Sequence, residues 1–235
     1  LTSWANYYPA INAGGGNHFG MMDSYHIEGR IGNYYWENTT VKNYFKVALT
    51  QGASFWGGMI DVVEVAPSNA SFVIKYNPNI SSNAAAYVLT YMPSHGHYAA
   101  NELTTEMVIG NITNYTAKEK SQVLAHELGH LWGIADLYKN NTNLESIYSQ
   151  VYKFTSATRH DKNAMYIGQD RPWYQDSSGN WKYLKSPGVF AVNELIYTVG
   201  YKPSASSKDY YYFNSNGVLV NNSSHLDDGG IYIIK

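Results

Sequence analysis

Two histidines and two carboxylates lie close together in the segment His126-Glu127-Leu128-Gly129-His130-Leu131-Trp132-Gly133-Ile134-Ala135-Asp136. On an α-helix, residues four apart lie on one face in adjacent turns, so His126 and His130 can bind the same metal ion. Glu127 lies beside this pair, where a carboxylate can act as a general base on a water molecule. The spacing therefore predicts a zinc hydrolase, most naturally a protease.

The residues that follow supply a third candidate ligand. Gly133 lets the backbone leave the helix with a positive φ, which a residue with a Cβ resists. The chain can then double back towards the metal and bring Asp136 to it. The alternative for Asp136 is a solvated aspartate in the loop after the helix.

The helix that must hold these groups has readable ends. Thr116 is a candidate N-cap, and Glu119 three residues later completes a capping box. These signals predict a helix from about Ala117 to about Trp132. Three leucines at helical spacing give it an apolar face to bury, namely Leu124, Leu128 and Leu131.

The pattern HExxHxxGxxD resembles the extended zinc signature of the metzincin clan of metallopeptidases, with aspartate as third ligand as in snapalysin-type enzymes. Met165, in Asn163-Ala164-Met165-Tyr166, is similar to the structural Met-turn of the matrixin branch. The resemblance implies a Zn²⁺ endopeptidase that acts on a protein or peptide substrate. Zinc would be held by His126, His130 and Asp136, with a water molecule as fourth ligand and Glu127 as general base.

The resemblance also implies a fold, an α+β metzincin-like catalytic domain over residues 1–201. Its upper lobe would be about 1–133 and its lower lobe about 134–201. Tyr87-Val88-Leu89-Thr90-Tyr91-Met92-Pro93 is similar to the edge strand that lies antiparallel to bound peptide in matrixins. Residues 186–197, starting at Ser186-Pro187, are similar to the last helix of that family.

Hydrophobic periodicity adds further elements ahead of the metal helix. Phe72-Val73-Ile74-Lys75-Tyr76 and residues 87–91 are typical of strands, and residues 41–50 of a helix. We therefore expect a mixed, twisted β-sheet with an active-site helix and a C-terminal helix, plus a small β-hairpin extension. A structural Ca²⁺ ion is a further expectation from the resemblance, although no calcium motif is cleanly present.

Residues 202–235 are expected to form a linker and a β-rich C-terminal extension. Residues 202–208 favour a short linker, Asn216-Gly217 indicates a hairpin turn, and residues 231–234 a third strand. The extension either docks on the catalytic lobe or associates with a cell wall. The second option leads to an alternative function, a catalytically silent cell-surface protein that binds peptides or glycans on a metzincin scaffold.

Two other regions have open interpretations. Residues 167–185 are rich in aromatic side chains, and the resemblance implies that they wall the pocket for the residue after the scissile bond. The alternative is aromatic packing beneath a long loop. His95 and His97 could bind a second metal ion or lie in a solvated loop, and His160 could line the cleft.

The composition narrows the class of protein. The chain has 235 residues, of which 44% are hydrophobic and 14% charged, and its formal net charge is −2. This charge gives no basic surface for nucleic acid or anionic lipids, and no apolar run is long enough for membrane insertion. The absence of cysteine excludes disulfides and zinc thiolates, and together with 23 tyrosines it indicates a secreted or cell-surface bacterial protein.

Overall fold

The structure is a computed structural model with a mixed α+β architecture. It describes residues 27, 29–80, 84–90, 105–134, 136, 145–148, 150–169, 171–186, 189–203, 205–220, 224–226 and 232–234.

The described elements comprise three α-helices and twelve strands. The helices are α1 (Thr39–Phe55), α2 (Ala117–Leu131) and α3 (Arg159–Gly168). The first five strands are β1 (Ile31–Trp36), β2 (Asp61–Glu64), β3 (Phe72–Tyr76), β4 (Ala86–Thr90) and β5 (Thr105–Ile109). The later strands are β6 (Trp173–Gln175), β7 (Trp181–Ser186), β8 (Val189–Phe190), β9 (Glu194–Val199), β10 (Lys208–Phe213), β11 (Ser224–Leu226) and β12 (Tyr232–Ile234).

The first five strands form one mixed sheet in the order β2-β1-β3-β5-β4. Strands β2, β1, β3 and β5 are mutually parallel, whereas β4 runs antiparallel to β5 at one edge of the sheet. The strand predicted at Phe72–Tyr76 is confirmed. The strand predicted at residues 87–91 is confirmed as far as Thr90, and Tyr91 lies outside the described residues.

Helix α1 contains the helix predicted at residues 41–50 and packs against α2. It begins after Asn38, whose side-chain oxygen accepts a hydrogen bond from the Val41 N–H at 3.1 Å. The two helices approach closely at Gly52, where a Cβ would lie 2.9 Å from the backbone nitrogen of Ala125. The Trp56 indole N–H also donates to the Ala125 carbonyl at 3.0 Å. These contacts hold α2 in place beneath the sheet.

The helix predicted at residues 186–197 is wrong. Over this range the chain leaves β7, forms β8 and continues into β9, so the expected C-terminal helix is absent from the described part of the chain. Asn193 has a φ of 51°, which interrupts a right-handed helix. The residues from Glu194 onwards instead find a partner strand, because β9 pairs with β10 over six residues. The helix-start signal at Ser186-Pro187 is therefore outweighed by the backbone hydrogen bonds that β9 forms with β10.

The C-terminal extension is a set of strands that packs on the rest of the chain. Residues 214–217 form the predicted turn after β10, and the backbone of Leu219 donates to the carbonyl of Trp181 at 2.8 Å. Phe213 is completely buried in the main hydrophobic cluster. The predicted third strand is confirmed as β12, which pairs with β11. The extension therefore docks on the rest of the chain, whereas its association with a cell wall and the domain boundary at residue 201 stay predictions.

A search of the described helices finds none with both the length and the apolar character needed to cross a bilayer.

Candidate metal centre and its cleft

Helix α2 brings His126 and His130 together as their spacing predicts. The predicted capping box is present, since Thr116 Oγ1 accepts from the Glu119 N–H at 3.2 Å and a Glu119 carboxylate oxygen accepts from the Thr116 N–H at 2.8 Å. Further along the same helix, the two imidazole rings lie 4.6 Å apart, centroid to centroid. Their Nε2 atoms are 3.0 Å apart.

The chain turns back after α2 at Gly133, which has the expected positive φ of 85°. The N–H of Ile134 donates to the Gly129 carbonyl at 3.2 Å, which closes the end of the helix. Asp136 Oδ1 then lies 3.0 Å from His126 Nε2 and 3.5 Å from His130 Nε2. The structure therefore places all three predicted ligand side chains around one point.

Both histidines are oriented by backbone carbonyls. His126 Nδ1 lies 3.2 Å from the carbonyl oxygen of Ile147, and His130 Nδ1 lies 2.5 Å from that of Ile134. A carbonyl oxygen can only accept, so each Nδ1 must carry the proton. In the neutral rings, Nε2 then carries the lone pair, which is the form that a metal ion requires.

The donor set fits a tetrahedral zinc ion. Two ligands about 2.0–2.1 Å from one ion at a tetrahedral angle are about 3.3 Å apart. The three distances between the Nε2 atoms and Asp136 Oδ1 range from 3.0 to 3.5 Å. Two nitrogen lone pairs and a carboxylate oxygen repel one another at this separation unless a proton or a cation lies between them. The residues present could hold Zn²⁺, with His126, His130 and Asp136 as the ligands.

Asp136 has electrostatic properties that suit a ligand. Its side chain is 47% exposed, on the open side of the site. Partial burial raises the pKa of Asp136, but hydrogen bonds that Nε2 of His126 and His130 donate when these rings are protonated outweigh that effect and hold the pKa well below its usual range. Asp136 is therefore ionised at neutral pH and supplies the negative charge that would offset part of a divalent cation's charge.

Glu127 is buried beside the two histidines. A carboxylate oxygen of Glu127 lies within 4.8 Å of a ring nitrogen of each histidine. Burial is the main reason that the pKa of Glu127 is raised, while the neighbouring imidazoles counteract it. No donor among the described residues hydrogen-bonds to its Oε2 atom. A buried carboxylate with a raised pKa and an open oxygen is suited to accept a proton from water.

Tyr148 packs over the two histidines, a contact that the sequence analysis did not predict. Its ring lies 4.7 Å from that of His126 and 5.3 Å from that of His130. Its hydroxyl donates to the His126 carbonyl at 2.9 Å. This approach depends on Gly129, where a Cβ would lie only 1.5 Å from the Tyr148 hydroxyl oxygen. Glycine in the middle of a helix lowers its stability and therefore often marks a close contact. Gly129 is thus a sequence feature that could have indicated a close approach to this helix.

The candidate metal centre opens into a cleft with a volume of about 500 Å³. The described lining includes the edge strand β4, from Ala86 to Val88, with Ala84 and Ala85 before it. It also includes Val123, Val151 and Tyr152. The lining is thus largely apolar apart from the candidate metal ligands and Glu127.

Met165 does not lie in a turn, so the predicted Met-turn is wrong as a local structure. Residues 163–166 are inside α3, and Met165 is completely buried. The helix forms because Thr158 and Asp161 make a second capping box at its start. Thr158 and Asp161 have the spacing of a capping box, which predicts a helix rather than a turn over the residues that follow.

The aromatic residues of the 167–185 segment belong to a core. Trp173 is completely buried and its ring lies 5.4 Å from that of Tyr183, 5.1 Å from that of Tyr211 and 5.7 Å from that of Phe213. None of the described residues that line the cleft comes from this segment. The packing interpretation is correct, and the specificity wall expected here from the resemblance is not found among the described cleft residues.

Outside helix α2, no histidine among the described residues lines the cleft. His160 lies in α3, where burial and the neighbouring Arg159 lower its pKa to about 4. It is absent from the described cleft lining. His95 and His97 lie outside the described residues, so a second metal site at these positions stays a prediction.

No protein-family model matches the chain, and no curated protein matches it at a significant level. The function must therefore be inferred from the site itself.

Proposed function

We propose that this chain is a zinc-dependent endopeptidase of the metzincin clan. The observation that carries the proposal is the convergence of His126 Nε2, His130 Nε2 and Asp136 Oδ1 within 3.5 Å of one another, beside the buried carboxylate of Glu127. When bound, zinc supplies a Lewis acid that polarises a carbonyl and lowers the pKa of water. We include secretion from a bacterial cell in the proposal, which the composition alone supports.

Glu127 has the properties of the proton carrier for such a reaction. Its raised pKa brings proton transfer closer to neutral pH, where a general base is most effective. It accepts a proton from the attacking water and later donates that proton to the leaving amine. Asp136, held ionised by the histidines, cannot take over this role without leaving them.

The edge strand β4 supports a peptide as the substrate. It is the last strand of its sheet, so on its outer side its backbone groups have no strand partner among the described residues. An extended peptide can add to such an edge through backbone hydrogen bonds. Because β4 lines the same cleft as His126 and Glu127, a peptide bound in this way would run past the metal centre.

The test is metal analysis together with an unbiased peptide digest. We expect about one zinc ion per chain, cleavage of internal peptide bonds, loss of cleavage on chelation and recovery on adding zinc. A chain that stays metal-free in excess zinc would overturn the metal centre. A chain that binds zinc but leaves every peptide intact would overturn the endopeptidase activity and favour a catalytically silent binding protein.

One observation favours that second candidate, a protein that binds glycans at the cell surface. Tyr197 is 57% exposed, and its ring lies 4.7 Å from that of its cross-strand partner Tyr210. Exposed aromatic rings of this kind are typical of binding surfaces. Sedimentation with insoluble cell-wall glycan tests the idea, since loss of binding in Tyr197→Ala is expected only if this surface holds the glycan.

A further inference from the structure

Asp161, at the start of α3, makes more hydrogen bonds than its capping role requires. Its side chain is completely buried. One oxygen, Oδ2, accepts from the Thr158 N–H at 2.9 Å, which completes the capping box. The other oxygen, Oδ1, accepts from the Ser146 hydroxyl at 2.6 Å and from the Ile147 N–H at 3.2 Å. Capping explains only the first oxygen.

The segment bound to Oδ1 is the one that contacts the metal centre. The peptide unit that follows Ile147 presents its carbonyl to His126 Nδ1 at 3.2 Å. Ser146 Oγ also accepts from the Tyr148 N–H at 3.0 Å, and Tyr148 in turn donates its hydroxyl to the His126 carbonyl. Two connections therefore run from the Asp161 carboxylate to His126, one through Ile147 and one through Ser146 and Tyr148.

Burying the Asp161 carboxylate also costs free energy, because the charged form loses its contact with water. Burial raises the pKa of Asp161 to about 6, against the opposing hydrogen bonds from Ser146, Thr158 and Ile147. A capping residue at an exposed helix start avoids this desolvation, as Glu119 does in the other capping box, where the carboxylate hydrogen bonds lower the pKa. The comparison of the two boxes shows what Asp161 adds: a buried anchor for residues 146–148.

We propose that Asp161 is a positioning residue for the candidate metal ligand His126, acting through Ser146, Ile147 and Tyr148. This role rests on the proposed function, since it presumes that His126 binds a metal ion. Without Oδ1 as acceptor, the Ile147 carbonyl is no longer held against Nδ1 of His126. The ring can then rotate or change tautomer, and the metal loses one oriented ligand.

The experiment compares Asp161→Ala with Glu119→Ala in the full chain. Both substitutions remove a capping-box carboxylate, but only Asp161 accepts hydrogen bonds from Ser146 and Ile147. The measurements are the Zn²⁺ dissociation constant by chelator competition, the visible spectrum of the Co²⁺-loaded protein and the unfolding midpoint of the metal-free protein.

We expect Asp161→Ala to weaken zinc binding about 10- to 100-fold and to change the Co²⁺ spectrum, as loss of an outer-shell partner does. Glu119→Ala should leave the zinc dissociation constant within about threefold of that of the original protein and the Co²⁺ spectrum unchanged. Should Asp161→Ala fail to fold, Ser146→Ala removes one of the two donors to Oδ1 and should show the same changes at smaller size.

The two proposals fail differently. Unchanged zinc affinity and Co²⁺ spectrum in Asp161→Ala or Ser146→Ala would overturn the positioning role and leave the endopeptidase proposal standing. Equal loss of zinc affinity in Asp161→Ala and Glu119→Ala would also overturn it, because general destabilisation would then be the cause. If the Asp161 variant weakens zinc binding as expected but the original protein cuts no peptide, the positioning role is supported and the endopeptidase activity is overturned.

Discussion

The region around α2 and the aromatic region after α3 are both deeply buried, but they bury different chemistry. Around α2 the buried groups include His126, Glu127 and His130, each with less than a tenth of its surface exposed. After α3 the buried groups are rings, centred on Trp173. Burying polar groups costs free energy unless each is paired, whereas burying rings is favourable in itself.

We therefore expect the polar region to serve function and the aromatic region to serve stability. The polar region is held in a defined geometry by hydrogen bonds to the carbonyls of Ile147 and Ile134 and from the hydroxyl of Tyr148, and burial raises the pKa of Glu127. The aromatic region gains its stability mainly from packing, and its buried Trp173 indole N–H is paired, since it donates to the Val199 carbonyl at 2.8 Å. Substitutions in the two regions should therefore affect different measurements.

The largest effect is expected at Glu127. Glu127→Ala should lower kcat at least 100-fold, and up to about 10,000-fold, because the general base is lost. Zinc stoichiometry should stay near one per chain, and the free energy of unfolding should not fall, since a buried carboxylate with an unpaired oxygen is removed. Peptide turnover that survives this substitution would refute the role assigned to Glu127.

The next largest effect is expected at Trp173, and it should concern stability alone. Trp173→Ala should lower the free energy of unfolding by about 3–5 kcal/mol, as measured by urea denaturation. The zinc affinity of the folded protein should stay unchanged. Tyr197→Ala is the matched control in the same region, because Tyr197 is 57% exposed and should cost well under 1 kcal/mol. A Trp173 variant that folds but has lost zinc would show that the two regions are coupled.

A smaller effect on specificity sharpens the comparison further. Val151 lines the cleft, so Val151→Phe should narrow it and disfavour substrates with large side chains beside the cut bond. The expected change in kcat/KM between large and small side chains is about 10- to 200-fold. Trp181→Phe in the aromatic region should leave the preference unchanged. If the preference instead follows Trp181, the specificity wall lies in residues 167–185 after all.

The smallest effect concerns the pH dependence of stability. The pKa of His160 is lowered to about 4 by burial and by Arg159, whose Nη2 lies 3.3 Å from His160 Nε2. The unfolded chain takes up a proton on His160 near pH 6.5, but the folded chain does so only near pH 4. The contribution of His160 to stability is therefore fully present above pH 6.5 and is lost as the pH falls from 6.5 towards 4.

His160→Gln should remove this contribution. Between pH 7 and pH 4.5, the free energy of unfolding of the metal-free variant should fall by about 1 kcal/mol less than that of the original protein. The difference is this small because the His160 side chain is only half buried and solvent screens its charge. Glu145 opposes the shift and is present in both proteins. Identical pH profiles for the two proteins would show that His160 titrates normally in the fold.

Helix α2 illustrates what can be predicted from the sequence. Its capping box, its ligand spacing and the positive φ at Gly133 all depend on residues within four positions of one another. The helix rule of 3.6 residues per turn converts such spacings directly into geometry. Strand β3 was predictable for the same reason, since alternation is also local.

Residues 186–197 illustrate the opposite case. A serine followed by proline resembles a helix start, but β9 gains six paired residues from β10, which lies nine or more residues further along the chain. The stability of that pairing depends on both strands and on the core beneath them. A signal confined to one segment cannot reveal it.

The sequence by itself determined that two imidazoles and a carboxylate lie on one rigid helix, with a second carboxylate on the returning chain. Only the tertiary structure decided what surrounds His126, because the Ile147 carbonyl and the Tyr148 ring approach it from more than 20 residues away in the chain. Local backbone geometry sets the spacing of side chains along a helix. The packing of distant segments sets the hydrogen bonds and burial that would make those side chains reactive.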